Sequence, residues 1–448
     1  MKRFRPGKVE KLGVPAGWKQ ALRALQYRNY RLYFGGQGIS LVGTWMQRIA
    51  MSWLVYRLTD SAFMLGLIGF AGSIPSFIFG PLAGVLADRY NRRRMLVITQ
   101  SMALLQALIL ALLVLTGKTT IWQILLLSIC LGFVEAFDMP MRQSFMVEIV
   151  QKKDLGNAIA LNSSMVNSSR LLGPSIAGVL IASMGEGICF LLNSASYLAV
   201  IISLLAMRVP PGQQPARRSD IFMEMREGFF YAYSFAPIRS ILMLLALVSL
   251  VGMPYSVLMP VFARDVLHGG PHTLGFLLGG AGVGALAGAI YLATRKSVLG
   301  LGRWIPMAAG IFGTGLIIFS LSRVFWFSLV LMLVTGFGII VQMASSNTVL
   351  QTVVEENKRG RVMSFYAMAI RGMVPFGSLL AGIMASRLGA PTTLMIGGGC
   401  CIVGSLIFAR NLPGLRKMVR PIYQRMGILP DMHTGIRTIT ENHSHLCQ

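Results

Sequence analysis

The sequence predicts an all-α polytopic membrane protein of twelve transmembrane helices in two six-helix pseudo-repeats. Three observations carry this: apolar blocks near twenty residues long, a one-sided distribution of basic residues, and a repeat across the middle of the chain. Of the 448 residues, 54% are hydrophobic and 13% charged, against roughly 25% charge in a soluble domain. Blocks near twenty residues match the ~30 Å of bilayer hydrocarbon at a helical rise of about 1.5 Å per residue.

The first six blocks run Leu32 to Tyr56, Phe63 to Leu86, Met95 to Leu115, Ile121 to Phe145, Ala158 to Met184 and Ile188 to Met207. The second six run Ile241 to Phe262, Leu274 to Ala293, Ile305 to Leu321, Phe325 to Met343, Val362 to Ala385 and Thr393 to Phe408. This divides the chain into a basic N-terminal segment (1–31), a six-helix half (32–207), a linker (208–240), a second half (241–408) and a tail (409–448). Before Leu32 no short apolar region precedes a small-residue cleavage site, so no removable signal peptide is expected. Trp18, Leu22, Leu25 and Tyr30 suit a short helix lying on the membrane surface. A frayed polar tail fits that segment equally well.

A net charge of +25 raises the question of nucleic acid. The placement of the basic residues answers it. Only Arg57, Lys118, Arg264, Arg323 and Arg387 fall in loops on the side opposite the termini, and Arg48, Arg142, Arg170 and Arg371 fall inside spans. The rest lie in the tails and the loops on the termini's side. That bias is the positive-inside rule for an even number of helices with both ends cytoplasmic. It leaves a nucleic-acid partner unsupported and makes the bilayer the partner; Arg416, Lys417, Arg420 and Arg425 suit anionic headgroups.

Cysteines 130, 189, 400, 401 and 447 have no metal-ligand or redox spacing, and all five histidines lie in loops or the tail. With no nucleophile, metal or phosphate motif, neither an enzyme nor a cofactor is expected, and a proton gradient is the expected energy source.

The longest polar interruption, Arg208 to Arg239, splits the chain six plus six. A shift of 204 positions aligns residues from Arg142 onward with those from Ser346 onward without a gap, superposing Gly156 on Gly360, Gly173 on Gly377, Gly178 on Gly382 and Gly185 on Gly389. Two halves of common origin are the simplest account, and parallel halves of this kind place a substrate site between them near the midplane.

The most specific motif is the turn between spans two and three, GVLADRYNRRRML from Gly84 to Leu96. It closely resembles the G-x-L-A-D-R-x-G-R-[RK] signature of the major facilitator superfamily, with Asn91 at the usual glycine. Asn tolerates a left-handed turn better than most residues. The wording of FDMPMRQSFMVEIV, RGRVMSFYAMAIRGMVPFGSLLAG and SLVGTWMQRIAMSWLVYRLTDS resembles that superfamily's drug and siderophore exporter branch, the transmembrane secretion effectors and their enterobactin- and macrolide-exporting kin.

The resemblance implies the major facilitator fold, a small-molecule cargo moved by alternating access, a monomer and the bacterial inner membrane. It also implies a conformational latch. Gly84 permits close helix approach, Asp88 faces the N-terminus of span eleven where the helix dipole favours a carboxylate, and Arg89 and Arg92 complete a charge cluster that Asp138 and Arg142 join. Gly173, Pro174 and Gly178 resemble the end of the span-five signature of antiporters.

A charge at the centre of a membrane helix costs about 2.5 to 3.5 kcal/mol even on lenient scales. Glu135, Asp138 and Arg142 share one face of span four, and Glu135 is nearest the middle. It is the candidate proton carrier; a structural ion pair with a basic residue of span five or eleven is the other reading. Arg48, Arg170 and Arg371 lie inside spans one, five and eleven on faces that also carry Gln37, Ser40, Thr44 and Gln47, then Ser163 and Asn167, then Ser364 and Ser378. These faces line a water-filled cavity or pack helix on helix. The candidate substrate contacts are Arg48, Gln47, Asn167, Arg170 and Arg371, and three arginines against one carboxylate favour an amphipathic substrate with negative charge. Gly280, Gly284 and Gly288 form a ladder for tight packing or a hinge. Pro254, Pro260 and Pro375 mark bends, mobile or static.

Overall fold

A computed structural model describes residues 22–208, 227, 230–295, 297–356 and 358–426. The side chains of residues 81 and 84–89 are outside the described set. The chain is helical throughout: α1 Arg28–Thr59, α2 Ala62–Arg89, α3 Arg92–Leu115, α4 Ile121–Ile149, α5 Leu155–Met184 and α6 Glu186–Ala206, then α7 Ala236–Val266, α8 Pro271–Ala293, α9 Leu301–Leu321, α10 Phe325–Val353, α11 Arg359–Leu388 and α12 Ala390–Arg425.

Among the described residues ten helices are long and apolar enough to cross a membrane. Helices α1 and α5 are not among the ten, although at 32 and 30 residues they are long enough. Their sequences explain it, because Gln37, Ser40, Gln47 and Arg48 dilute α1, and a run of Asn and Ser up to Arg170 dilutes α5. Trp122 and Trp326, at the start of α4 and α10, are each 73% exposed. They stand 204 positions apart, and exposed Trp at helix ends is the pattern of a bilayer interface.

Side-chain packing pairs α1 with α5 and α6, α2 with α4, and α3 with α4 and α6. Adding six to each helix number gives α7 with α11 and α12, α8 with α10, and α9 with α10 and α12, which also pack. The two groups meet through α2 on α11 and α5 on α8, and that pair of contacts also maps onto itself under the same shift.

The glycine ladder of α8 is a packing surface. A side chain at Gly280, Gly284 or Gly288 would meet Leu329, the Leu333 carbonyl or the Phe337 carbonyl of α10. The prolines act through the backbone. Pro254 opposes the carbonyl of residue 250 and Pro375 that of residue 371, and each of those carbonyls lies in a π-helical turn, Val248–Gly252 and Met368–Gly372. A proline cannot close the i to i−4 bond and its ring crowds that carbonyl, so the helix widens by one residue.

Two expectations at the chain's ends are revised. Tyr30 is fully buried, packing with Tyr33 and Phe34 and donating to the Ala158 carbonyl at 2.9 Å, so it does not face a membrane surface. Helix α12 runs on past the expected end at Phe408 to Arg425 and buries Val419. Its apolar stretch ends where the helix does not. Trp18, most of the linker and the tail beyond residue 426 lie outside the described residues.

Candidate functional site

Arg48 of α1 and Glu135 of α4 form an ion pair at 2.8 Å, with side chains 50% and 39% exposed. Both come from the middle of long helices, so the exposure is to an internal cavity or to lipid, and two charges at that depth require the former. Trp45, one turn before Arg48, supports the pair. Its ring lies 5.2 Å below the Arg48 guanidinium and 5.8 Å from that of Arg170 in α5, a double cation–π contact. Trp45 can sit there because Gly173 of α5 has no side chain; a Cβ at that position would collide with the Trp45 Cβ and the Val42 carbonyl.

Arg371 reaches the same cluster from α11. It lies in the π-helical turn Met368–Gly372, its guanidinium touches the Met139 sulfur one turn past Glu135, and it is within electrostatic range of Arg48 and Glu135. Tyr255 of α7, buried, lies beside Arg170. The cluster therefore draws on α1, α4 and α5 from one group of helices and on α7 and α11 from the other.

Several expected cavity residues do not reach it. Gln47 is 2% exposed, donating to Gln106 Oε1 at 3.0 Å and accepting from Asn193 Nδ2 at 2.7 Å. Gln37 and Ser40 are buried too. At Gln47 the polar stripe of α1 is an interface with α3 and α6, whereas Arg48 is exposed. Ser378 of α11 is buried and packs under Gly69 of α2. Asn167 is half-buried and donates to its own helix at Ser163 O, 2.9 Å. The partner of Glu135 is in span one, where the sequence pointed to spans five and eleven.

A second charged group lies one to two turns further along α4. Asp138, 9% exposed, accepts from Thr99 Oγ1 at 2.9 Å and Gln100 Nε2 at 2.7 Å and pairs with Arg142. This pair is bound to α3 through those two side chains. Arg92 pairs with Glu148 at 2.6 Å, a residue the sequence alone did not single out. Its signal was there: an acid at the end of span four opposite the basic turn that starts span three. Gly84, Asp88 and Arg89 lie in α2, with side chains outside the described residues.

The two groups of helices close on each other at the end bearing the α1–α2 and α7–α8 connections. Gly66 meets Ser378 and Gly382, and Gly178 meets Pro271 and Gly275, so backbones touch directly. Gly178 and Gly382 are the residues that the 204-position repeat superposes. Beyond them Asp60 pairs with Arg264 and Tyr56 donates to Asp265. Asp60 has a left-handed φ of 47° at the C-cap of α1, and Arg264 and Asp265 sit in the π-helical turn Phe262–Val266. No comparable inter-group ion pair is found at the other end among the described residues. Among the described residues no three or more His, Cys, Asp or Glu side chains converge as a metal site.

A family profile described as transmembrane secretion effector matches residues 20–420. The chain belongs to that family. It is thus a membrane transporter of the major facilitator superfamily, and its family is one of transporters and not of enzymes. This transmembrane secretion effector is similar to the staphyloferrin A transporter of Staphylococcus aureus (strain NCTC 8325 / PS 47), 26% identical over 84% of this chain and 95% of that one. Macrolide efflux protein A of Streptococcus pyogenes is 21% identical over 85% and 96%, and the multidrug efflux pump Tap of Mycolicibacterium fortuitum is 25% identical over 80% and 88%. Its fold is similar to that of the POT family transporter PepTSo, with TM-score 0.67 at 12% identity over 87% of this chain and 99% of that one. A bacterial homologue of the iron transporter ferroportin gives TM-score 0.64 at 16% identity over 86% and 98%.

Proposed function

We propose that the protein exports a small amphipathic compound of acidic character by alternating access, as a proton-coupled antiporter with Glu135 as the proton carrier. The observation that carries this is the half-exposed Arg48–Glu135 pair at membrane depth. A fully buried pair would be inert, whereas this one is open to water and to a ligand. Antiport requires that proton and substrate exclude one another: the substrate binds while Glu135 is ionised on Arg48, and proton uptake by Glu135 opens that pair and releases the substrate.

In this reading the chain has twelve spans as two six-helix repeats, residues 32–207 and 241–408, joined by the linker 208–240. Helices α1 and α5 count as spans because their polar side chains face other helices or the cavity. The repeated packing pattern supports it. Both termini are cytoplasmic, so the closed end with Asp60 and Arg264 faces outward and the cavity opens inward. Gly84, Asp88, Arg89 and Arg92, with Glu148, form the latch that closes the cytoplasmic side when the transporter turns outward. The protein works as a monomer in a bacterial inner membrane. The printed functions of the relatives, siderophore transport and macrolide and multidrug efflux, support a cargo of that kind.

The test is uptake of a panel of acidic and cationic amphipathic compounds into inverted membrane vesicles, with and without an imposed proton gradient. Gradient-dependent accumulation of an acidic compound is expected. Accumulation of cations alone overturns the acidic cargo, and transport indifferent to the gradient identifies a passive facilitator or importer on the same fold.

A further inference from the structure

The charges of the cavity do not balance, and the imbalance is distributed. Arg48 has Glu135 at 2.8 Å. Arg170 and Arg371 have no carboxylate in ion-pair range among the described residues; Arg170 lies against the Trp45 ring and Tyr255, and Arg371 touches the Met139 sulfur. Neither guanidinium is neutralised by a partner of its own, and each supplies a planar fork suited to a carboxylate or a similar oxyanion. The two come from opposite groups of helices, α5 and α11. By the 204-position shift Arg371 superposes on Asn167, one turn before Arg170, and both reach the Trp45–Arg48 turn of α1, Arg170 at the Trp45 ring and Arg371 within electrostatic range of Arg48.

From this we infer that the substrate carries two separate acid groups, one taken by Arg170 and one by Arg371, so that the ligand bridges α5 and α11. This rests on the transporter reading of the cavity and narrows it from an acidic compound to a dianion. A monoanion satisfies one fork and leaves the other exposed. A dianion satisfies both and ties the two groups of helices together. Trp45 is a positioning residue in this arrangement: stacked on the Arg170 guanidinium and fixed by the missing side chain at Gly173, it holds that fork without touching the acid group.

The experiment is equilibrium binding to the purified full-length chain in lipid nanodiscs, with no gradient present. The probes are α,ω-alkane dicarboxylates of increasing length against monocarboxylates of the same lengths. One length of dicarboxylate is expected to bind at least about tenfold more tightly than its monocarboxylate partner, the worth of one further charge-assisted hydrogen bond. Arg170→Gln and Arg371→Gln should each erase that preference, and Arg170→Lys should restore part of it. Equal binding of the two series, a preference that survives both glutamine variants, or no binding of either series overturns the proposal. Since no gradient is used, failure of proton coupling in vesicles leaves this result unaffected, and failure here leaves proton-coupled export of a monoanion standing.

Discussion

Arg48 donates from Nη2 to Glu135 Oε1 at 2.8 Å across the α1–α4 interface, and both side chains remain open to the cavity. The pair is too exposed to be a strong structural fastener, since ion pairs in contact with water contribute about 0 to 1 kcal/mol. Its value lies in being breakable. Arg48→Gln should lower transport at least about tenfold while the protein remains folded, and Arg48→Lys should retain part of the activity, because an ammonium keeps the charge without the fork. Initial transport rates with thermal unfolding as the control check this; loss of folding in place of rate would assign the pair a structural role.

Gln47 separates packing from binding. Its amide donates to Gln106 and accepts from Asn193 in a buried interface. Gln47→Leu should lower stability by about 1 to 3 kcal/mol, the cost of leaving buried partners unmet, with the order of substrate preference unchanged. Unfolding curves and a substrate panel on the same variant provide the two readings.

Asp154, just before α5, accepts from Tyr27 Oη at 2.7 Å, Arg23 Nε at 2.7 Å and Gln26 Nε2 at 3.1 Å. The Tyr27 hydrogen bond first, then the Arg23 contacts, hold its carboxyl below the usual range, against the opposing effect of desolvation; the Tyr27 phenol is pushed up in return. A depressed carboxyl contributes stability above its unfolded value of about 3.9, lost as pH falls through the folded value. The thermal midpoint of the wild type should therefore exceed that of Asp154→Asn at pH 7, and the gap should close as pH drops below about 4. A gap independent of pH would contradict this.

The closed end should loosen when its charges are removed. Asp60→Asn or Arg264→Ala should shift the population toward opening at that end by up to about fivefold, the range of an exposed pair. The exchange of the two charges, Asp60→Arg with Arg264→Asp, should recover most of the shift. Distances between spin labels across that face measure it.

The glycine contacts give a larger effect. A branched side chain in Gly178→Val has no room against Gly275 and the Pro271 carbonyl, and overpacking costs about 1 to 3 kcal/mol. The variant should fold, fail to close that end, and transport poorly; normal transport would show that α5 and α8 need not touch there.

Much of the architecture was legible because membrane spans are written in composition, and the 204-position correspondence of Gly178 with Gly382 was legible because both are held by backbone contacts that admit no side chain. Arg48, Glu135, Arg170 and Arg371 were legible because charge at that depth needs a reason. Which polar residues faced the cavity was not. Periodicity put Gln47 and Arg48 on one stripe, yet whether a polar face meets water or another helix depends on the neighbour's residues, here Asn193 and Gln106, far away in sequence. Glu148 was overlooked for the same cause, since its meaning comes only from Arg92 across the α3–α4 interface.

The most direct test of proton-coupled export is Glu135→Gln in inverted vesicles under an imposed proton gradient. The variant should lose gradient-driven accumulation while still exchanging substrate across the membrane down its own gradient. Full uphill accumulation with the pH dependence of the wild type would contradict the assignment of Glu135 as proton carrier.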